Sequence, residues 1–243
     1  MYRCCPRVHT LPVYLAQLNE TVLKKLWWKI LAIVLLVYVH IGGLLFAVPR
    51  LRIHETIRSL YFHVPMWFGM TFMFLISFVY AVRYLRTSSK EDDIRSVEFA
   101  NVGLAFGTLG MLTGMVWAHY AWGLFWHGDP KQVGAAIALL VYLAYFVLRA
   151  SFENQEQRAR LSAVYNIFAF ASLIPLIFII PRLYSSMHPG DDGNPAFNAY
   201  DLDGRMRLVF YPAVIGWFFM GLWITSLRIR YRNINEKISE TEL

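Results

Sequence analysis

Phe99–Lys131 reads FANVGLAFGTLGMLTGMVWAHYAWGLFWHGDPK. Its first part, Phe99–Ala118, contains no Asp, Glu, Lys or Arg. A helix rising about 1.5 Å per residue needs about 20 such residues to cross about 30 Å of hydrocarbon. The second part, Trp117–Lys131, holds three tryptophans, a tyrosine, a phenylalanine and two histidines in fifteen residues. A connection that only turned the chain would use Gly, Asn, Ser and Asp. The stretch predicts a membrane helix that runs into an aromatic loop at the bilayer surface. That loop offers broad π-faces to something flat and apolar.

Five further charge-free runs repeat the first part: Ile30–Pro49, Val64–Val82, Val133–Leu148, Leu161–Pro181 and Leu208–Leu227. Val133–Leu148 is short, but Lys131, Gln132 and Arg149 reach the interface from its ends. Over the 243 residues, 57% are apolar and only 16% charged, where a soluble domain has about 25% charged. The expected fold is all-α, a polytopic membrane protein with six transmembrane helices, because helices satisfy their own backbone groups in lipid. Residues 24–230 form one membrane domain, with an extension at 1–23 and a tail at 231–243. The extension makes no convincing signal peptide, being short of apolar length and broken by Pro6 and Pro12. Lys24-Lys25 before Trp27-Trp28 reads as the natural start of the first helix, so the true chain start is expected near Val22.

A net charge of +7 in a soluble protein would point to nucleic acid. Here the charge follows topology. Sixteen of the 23 Lys and Arg lie before helix 1, after helix 6 and in the even-numbered connections. The positive-inside rule puts that side, and both termini, in the cytoplasm. Cys4 and Cys5 are adjacent and on that side, which argues against a structural disulfide. The chain has no C-x-x-C-H, H-E-x-x-H, Walker A or G-x-G-x-x-G.

Helix parity places connections 1–2, 3–4 and 5–6 on one face whichever way the chain inserts. That face gathers His54, His63, His119, His127 and His188, the aromatic loop, and Arg50, Arg52, Arg58, Lys131, Arg182, Arg205 and Arg207. A flat macrocycle with a central iron needs axial imidazole, aromatic faces for its ring, and cations for its carboxylates. His63 precedes Pro65, which suits a first helical turn, so its side chain is expected near the N-cap at the membrane surface. His188 lies just past helix 5. His119 and His127 are alternative ligands or interfacial polar tips. His40, inside helix 1, reads as a structural residue bonded to a neighbouring helix or as part of a polar path. Trp27, Trp28, Trp217 and Trp223 read as interfacial anchors. Asp129 is expected to cap helix 4, with Pro130 at its first position. The outer segment Arg182–Arg207 is too polar for lipid and long for a turn, which suggests a docking surface.

These residues carry a family resemblance. Trp117-Ala118-x-x-x-Trp122-Gly123-x-Phe125-Trp126-x-x-Asp129-Pro130-Lys131 resembles the tryptophan-rich WWD signature of haem-handling proteins in cytochrome c biogenesis. Arg58-x-x-Tyr61-x-His63-Val64-Pro65 resembles the His-Val-Pro motif opening helix 2 in the CcmC branch. Leu183-x-x-x-Met187-His188-Pro189-Gly190 is similar to that branch's second histidine. The resemblance covers roughly Lys24 to Arg230. Phe125 and Gly128 stand where the family often has Trp, and Lys131 where it often has Arg. The Trp-Ala-x-x-x-Trp-Gly and Asp-Pro-Lys portions lean toward the related CcsA branch.

The resemblance implies a bacterial inner-membrane protein that binds haem b transiently on its periplasmic face and is not an enzyme. It implies His63 and His188 as axial ligands, over a platform of Trp117, Trp122, Phe125, Trp126 and Asp129. Arg58, Lys131 and Arg182 are the candidates for the propionates. Implied partners are the haem chaperone CcmE, the transporter subunits CcmA and CcmB, the small protein CcmD and membrane lipid, with no nucleic acid. The alternative is a CcsA-like haem–apocytochrome c synthase component. A b-type cytochrome subunit would hold haem mid-membrane, where only His40 is placed. A quinone or ion transporter subunit would need intramembrane carboxylates, which these runs lack.

Overall fold

A computed structural model of the chain describes residues 10–46, 54–188 and 202–241. Cys4, Cys5, Pro6, Arg50, Arg52, Pro189, Gly190, Gly193 and Pro195 lie outside the described residues, as does most of the outer segment expected to form a docking surface.

Each charge-free run is helical over its described residues. The helices are α1 (Thr10–Ile41), α2 (Leu60–Thr87), α3 (Lys90–Trp122), α4 (Pro130–Ala150), α5 (Gln155–Ile174) and α6 (Gly204–Thr241). Among the described residues, six stretches are long and apolar enough to cross a membrane, from Leu26–Phe46 to Gly204–Ser239. The helix α1 begins well upstream of Lys24-Lys25. Pro12 falls in its first turn, where a missing N–H costs no intrahelical bond. Two apolar runs end in wider turns. Gly42–Phe46 extends α1, and Pro175–Ile179 extends α5, opening at Pro175 where the N–H is missing. The polar outer segment is shorter than its sequence suggests, because residues 204–207 already belong to α6.

In lipid, helices associate through close packing rather than through apolar burial, and small residues permit it. One seam of α3 shows this. Gly103, Gly107, Gly110 and Gly114 line one face, and each receives a side chain of α2 in turn: Phe74, Met70, Trp67 and His63. A Cβ at Gly103 would meet Phe74 Cδ1 at 2.7 Å, and one at Gly107 would meet Met70 Sδ at 2.6 Å. The core continues through Phe99, Val102 and Phe106 of α3, Tyr142 of α4 and Leu173 of α5. Phe74 and Tyr142 stack at 3.4 Å between centroids. Trp217, expected as an interfacial anchor, instead packs edge-on against Phe106 in this core. It lies more than three turns into α6, away from the helix ends. Lys29 does stand over both Trp28 and Trp223, as an interfacial pair would.

The two ends of the bundle differ. The charged end collects the starts of α3 and α5 and the ends of α2, α4 and α6. Arg149 makes a bidentate pair with Asp93, at 2.7 and 2.5 Å. Asn166 donates to the hydroxyls of both Ser77 and Ser96, and these serines exchange bonds with each other's carbonyls. The aromatic end holds the remaining connections.

Candidate functional site

The aromatic segment is only partly a loop. Trp117–Trp122 form the last turns of α3, and Gly123 ends the helix at φ 91° with its N–H on the His119 carbonyl. No breaker precedes Gly123, and glycine adopts the left-handed cap without a Cβ clash. The connection proper is residues 123–129. Gln132 ties it down by accepting from the His127 N–H at 3.0 Å and donating to the Phe125 carbonyl at 3.3 Å.

His63 is not beside the N-cap, which is Ser59. It lies one turn inside α2 and is 8% exposed. The helix starts before Pro65 because a tight turn over His54–Ser59 leads directly into Leu60. Pro65 removes one backbone bond and leaves the helix intact. The glycine ladder then sets the depth of His63: a Cβ on Gly114 would collide with its imidazole. The ring packs edge-on against Trp67 at 6.2 Å and Trp117 at 5.8 Å. Its Nδ1 is 3.2 Å from Thr113 Oγ1. Thr113 gives its own hydroxyl proton to the Leu109 and Gly110 carbonyls, so its oxygen accepts from His63 Nδ1–H. That tautomer leaves the lone pair on Nε2.

His188 reaches the same state by another route. Asp129, its side chain 2% exposed, caps α4 through the Lys131 N–H at 2.9 Å, with Pro130 at the first position as expected. It also accepts from Met187 N–H at 2.8 Å, Ser186 Oγ at 2.9 Å and His188 Nδ1 at 3.1 Å. Burial works against the charge on Asp129, yet the His188 hydrogen bond and the two backbone N–H groups outweigh it. They hold the carboxyl well below the usual carboxylate range. The carboxylate thus accepts from the His188 Nδ1–H, and Nε2, on the far side of the ring, is turned away from Asp129. A carboxylate behind an imidazole orients it and makes it a more basic ligand.

The two histidines both lie at the aromatic end, His63 in the first turns of α2 and His188 a few residues past the short turn Ile180–Arg182. Each meets a tryptophan of α3: Trp117 faces His63, and Trp122 meets His188 edge-on at 4.9 Å. Trp122 also meets His127 at 6.1 Å, and Phe125 stacks flat on His119 at 4.2 Å. Phe125 and Trp126 are exposed. Arg58 donates to Glu55 at 2.5 Å and to the Gly43 carbonyl at 3.0 Å, which ties it to the α1 side. Arg182 is exposed at the end of a short turn, and Lys131 is half-buried in the first turn of α4. His40 bonds its own helix rather than a neighbour, with Nδ1 2.6 Å from the Leu36 carbonyl and the ring against Phe62. On a lipid-facing side chain, the carbonyl one turn back is the acceptor within reach.

This donor set suits an iron macrocycle. Two imidazoles, each engaged through Nδ1, stand beside several aromatic rings, and the buried Trp117 Nε1, His119 Nδ1 and His127 Nε2 have no hydrogen-bond partner. Among the described residues, no three His, Cys, Asp or Glu converge as they would around a bare metal ion. The sequence reading missed Thr113, Gly114 and the Ser186–Asp129–His188 clasp. The G-x-x-x-G-x-x-G-x-x-x-G spacing of Gly103–Gly114 was the available signal for the first two. The clasp joins residues 59 apart, and no local pattern announces it.

Residues 8–243 match the profile of the CcmC family, heme exporter protein C. The chain is also similar to cytochrome c biogenesis protein CcsA. To that of Cuscuta reflexa it is 36% identical over 88 residues, 36% of this chain and 29% of the relative. To that of Prochlorococcus marinus (strain MIT 9515) it is 40% identical over 82 residues, 34% of this chain and 26% of the relative. The aligned segment spans less than a third of either relative's length.

Proposed function

The chain belongs to the CcmC family, and on that premise we propose that it binds haem b transiently at the periplasmic face of the bacterial inner membrane and delivers it to the haem chaperone CcmE. Membership makes it a haem-handling, multi-pass membrane protein of cytochrome c biogenesis. In the proposed site, His63 and His188 are the axial ligands. Trp117, Trp122, Phe125 and Trp126 supply the platform, and Asp129 acts through His188 rather than on haem itself. Arg58, Lys131 and Arg182 receive the propionates, Arg58 by exchanging its contact with Glu55. Both termini are cytoplasmic, residues 1–23 and 231–243 flank the membrane domain, and CcmA, CcmB and CcmD are the further partners. The protein is a carrier, not an enzyme.

The observation that carries this reading is the matched state of the two imidazoles. Each has Nδ1 engaged, one on Thr113 and one on Asp129, so each offers Nε2 to iron. The two supports differ in strength. A neutral hydroxyl holds one ligand and a carboxylate the other, which suits cargo that must later leave. In cells lacking their own copy, His63→Ala and His188→Ala are each expected to cut haem-loaded chaperone and c-type cytochrome at least tenfold at unchanged protein level. Normal maturation with both would overturn the proposal.

The CcsA relatives keep a second reading open, a haem–apocytochrome c synthase component. Purified protein that attaches haem to a C-x-x-C-H peptide without a chaperone would establish it.

A further inference from the structure

A cavity of about 380 Å³ lies at the charged end, far along α3 from the aromatic site. It is lined by Glu98, Leu227, Arg228, Tyr231, Arg232 and Asn235. Its size is in the range of small-ligand sites. Glu98, with a side chain 6% exposed, accepts from Arg228 Nε at 2.6 Å and from Arg232 at 2.9 Å. Nearby, Glu236 pairs with Lys90 at 2.9 Å and approaches Arg232 at 3.8 Å. Arg228 uses only its Nε on Glu98, so its two terminal amino groups point their donors elsewhere. A guanidinium fork of this kind matches the paired oxygens of a phosphate.

The depth of the cavity is fixed by its neighbours. Trp223 and Trp28, with Lys29 between them, mark an interfacial belt at this end. Leu227 and Arg228 lie about one turn beyond Trp223, and Tyr231, 73% exposed, one turn further. The cavity therefore combines Leu227 at its lip, the Tyr231 ring and the terminal amino groups of Arg228 at headgroup level. Basic pockets between helices at that depth recognise acidic headgroups. We propose that it binds the phosphate of an anionic phospholipid headgroup, seating the acyl chain along Leu227.

The test is native mass spectrometry of the full chain in detergent, with phosphatidylglycerol or phosphatidylcholine added. Preferential retention of one phosphatidylglycerol is expected, falling about fivefold in Arg228→Gln. Glu98→Gln should shift retention upward, because it unmasks both arginines; a folding defect would move it downward. Equal retention of the two lipids overturns the proposal. So does retention unchanged in both variants, or release of phosphatidylglycerol by millimolar inorganic phosphate, which would assign the site to a soluble anion.

Discussion

The charged and aromatic ends of this bundle use polar groups in opposite ways. At the charged end most of them close on one another, with Asn166 Oδ1 and Arg158 Nε as exceptions buried without a hydrogen-bond partner. Arg149 locks Asp93, Glu98 takes two arginines, and Asn166 links two serines. At the aromatic end they support only one side of each histidine. Thr113 and Asp129 hold Nδ1 and leave Nε2, while Trp117 Nε1, His119 Nδ1 and His127 Nε2 are buried without partners. A closed network builds a scaffold; a half-closed one is prepared for a ligand. In lipid this division is sharper than in water, since an unmatched buried polar group is costly there.

Breaking the scaffold should have the largest effect. Asp93→Ala leaves Arg149 buried and uncompensated and is expected to cost about 3–5 kcal/mol of stability in a thermal unfolding assay in detergent. An unchanged midpoint would mean the charged end does not bind the bundle together. Next is the ladder. Gly114→Ala drives a methyl into His63, an overpacking cost of about 1–3 kcal/mol. Its haem content is expected to fall well before its helicity by circular dichroism does. Equal loss of both would make Gly114 a packing residue only.

Asp129→Asn sharpens the comparison further. Asn still caps α4, so the helix should persist, while the stability carried by the ionised carboxylate is lost. The imidazole behind it loses its carboxylate, and haem affinity is expected to drop about 10–100-fold in a titration. The sign of the pH response follows from the depressed carboxyl. Its stabilising contribution is complete above the ordinary value of 3.8 and leaves only as pH falls below the usual range. Going from about pH 7 to about pH 5 should therefore leave the Asp129 carboxylate ionised, visible as an unchanged Asp129 carboxyl carbon shift by NMR. The smallest expected effect is Phe125→Ala, about 0.5–1.5 kcal/mol in haem binding, from one lost stacking surface. Phe125→Trp should gain a comparable amount.

The six helices were legible because a charge-free run of membrane length has few other folds open to it. Asp129 was legible as a cap because Asp-Pro before an apolar run is a local signal. The depth of His63 was not, because Pro65 marks a first turn in most helices and here sits a turn further in. Trp117 and Trp122 read as loop residues because aromatic content suggested a platform, while the helix simply continued to Gly123. The Asp129–His188 contact depends on how α4 and the end of α5 are brought together, and only three-dimensional packing could supply it.

The central claim is that iron takes the two free Nε2 atoms. Haem-loaded protein with His63→Gly, His188→Gly or neither, examined by absorption and resonance Raman spectroscopy with and without added imidazole, tests it most directly. The wild type is expected to be six-coordinate and low-spin. Each glycine variant should lose that signature and regain it when imidazole fills the space. A low-spin spectrum that survives in either variant without imidazole would contradict the account.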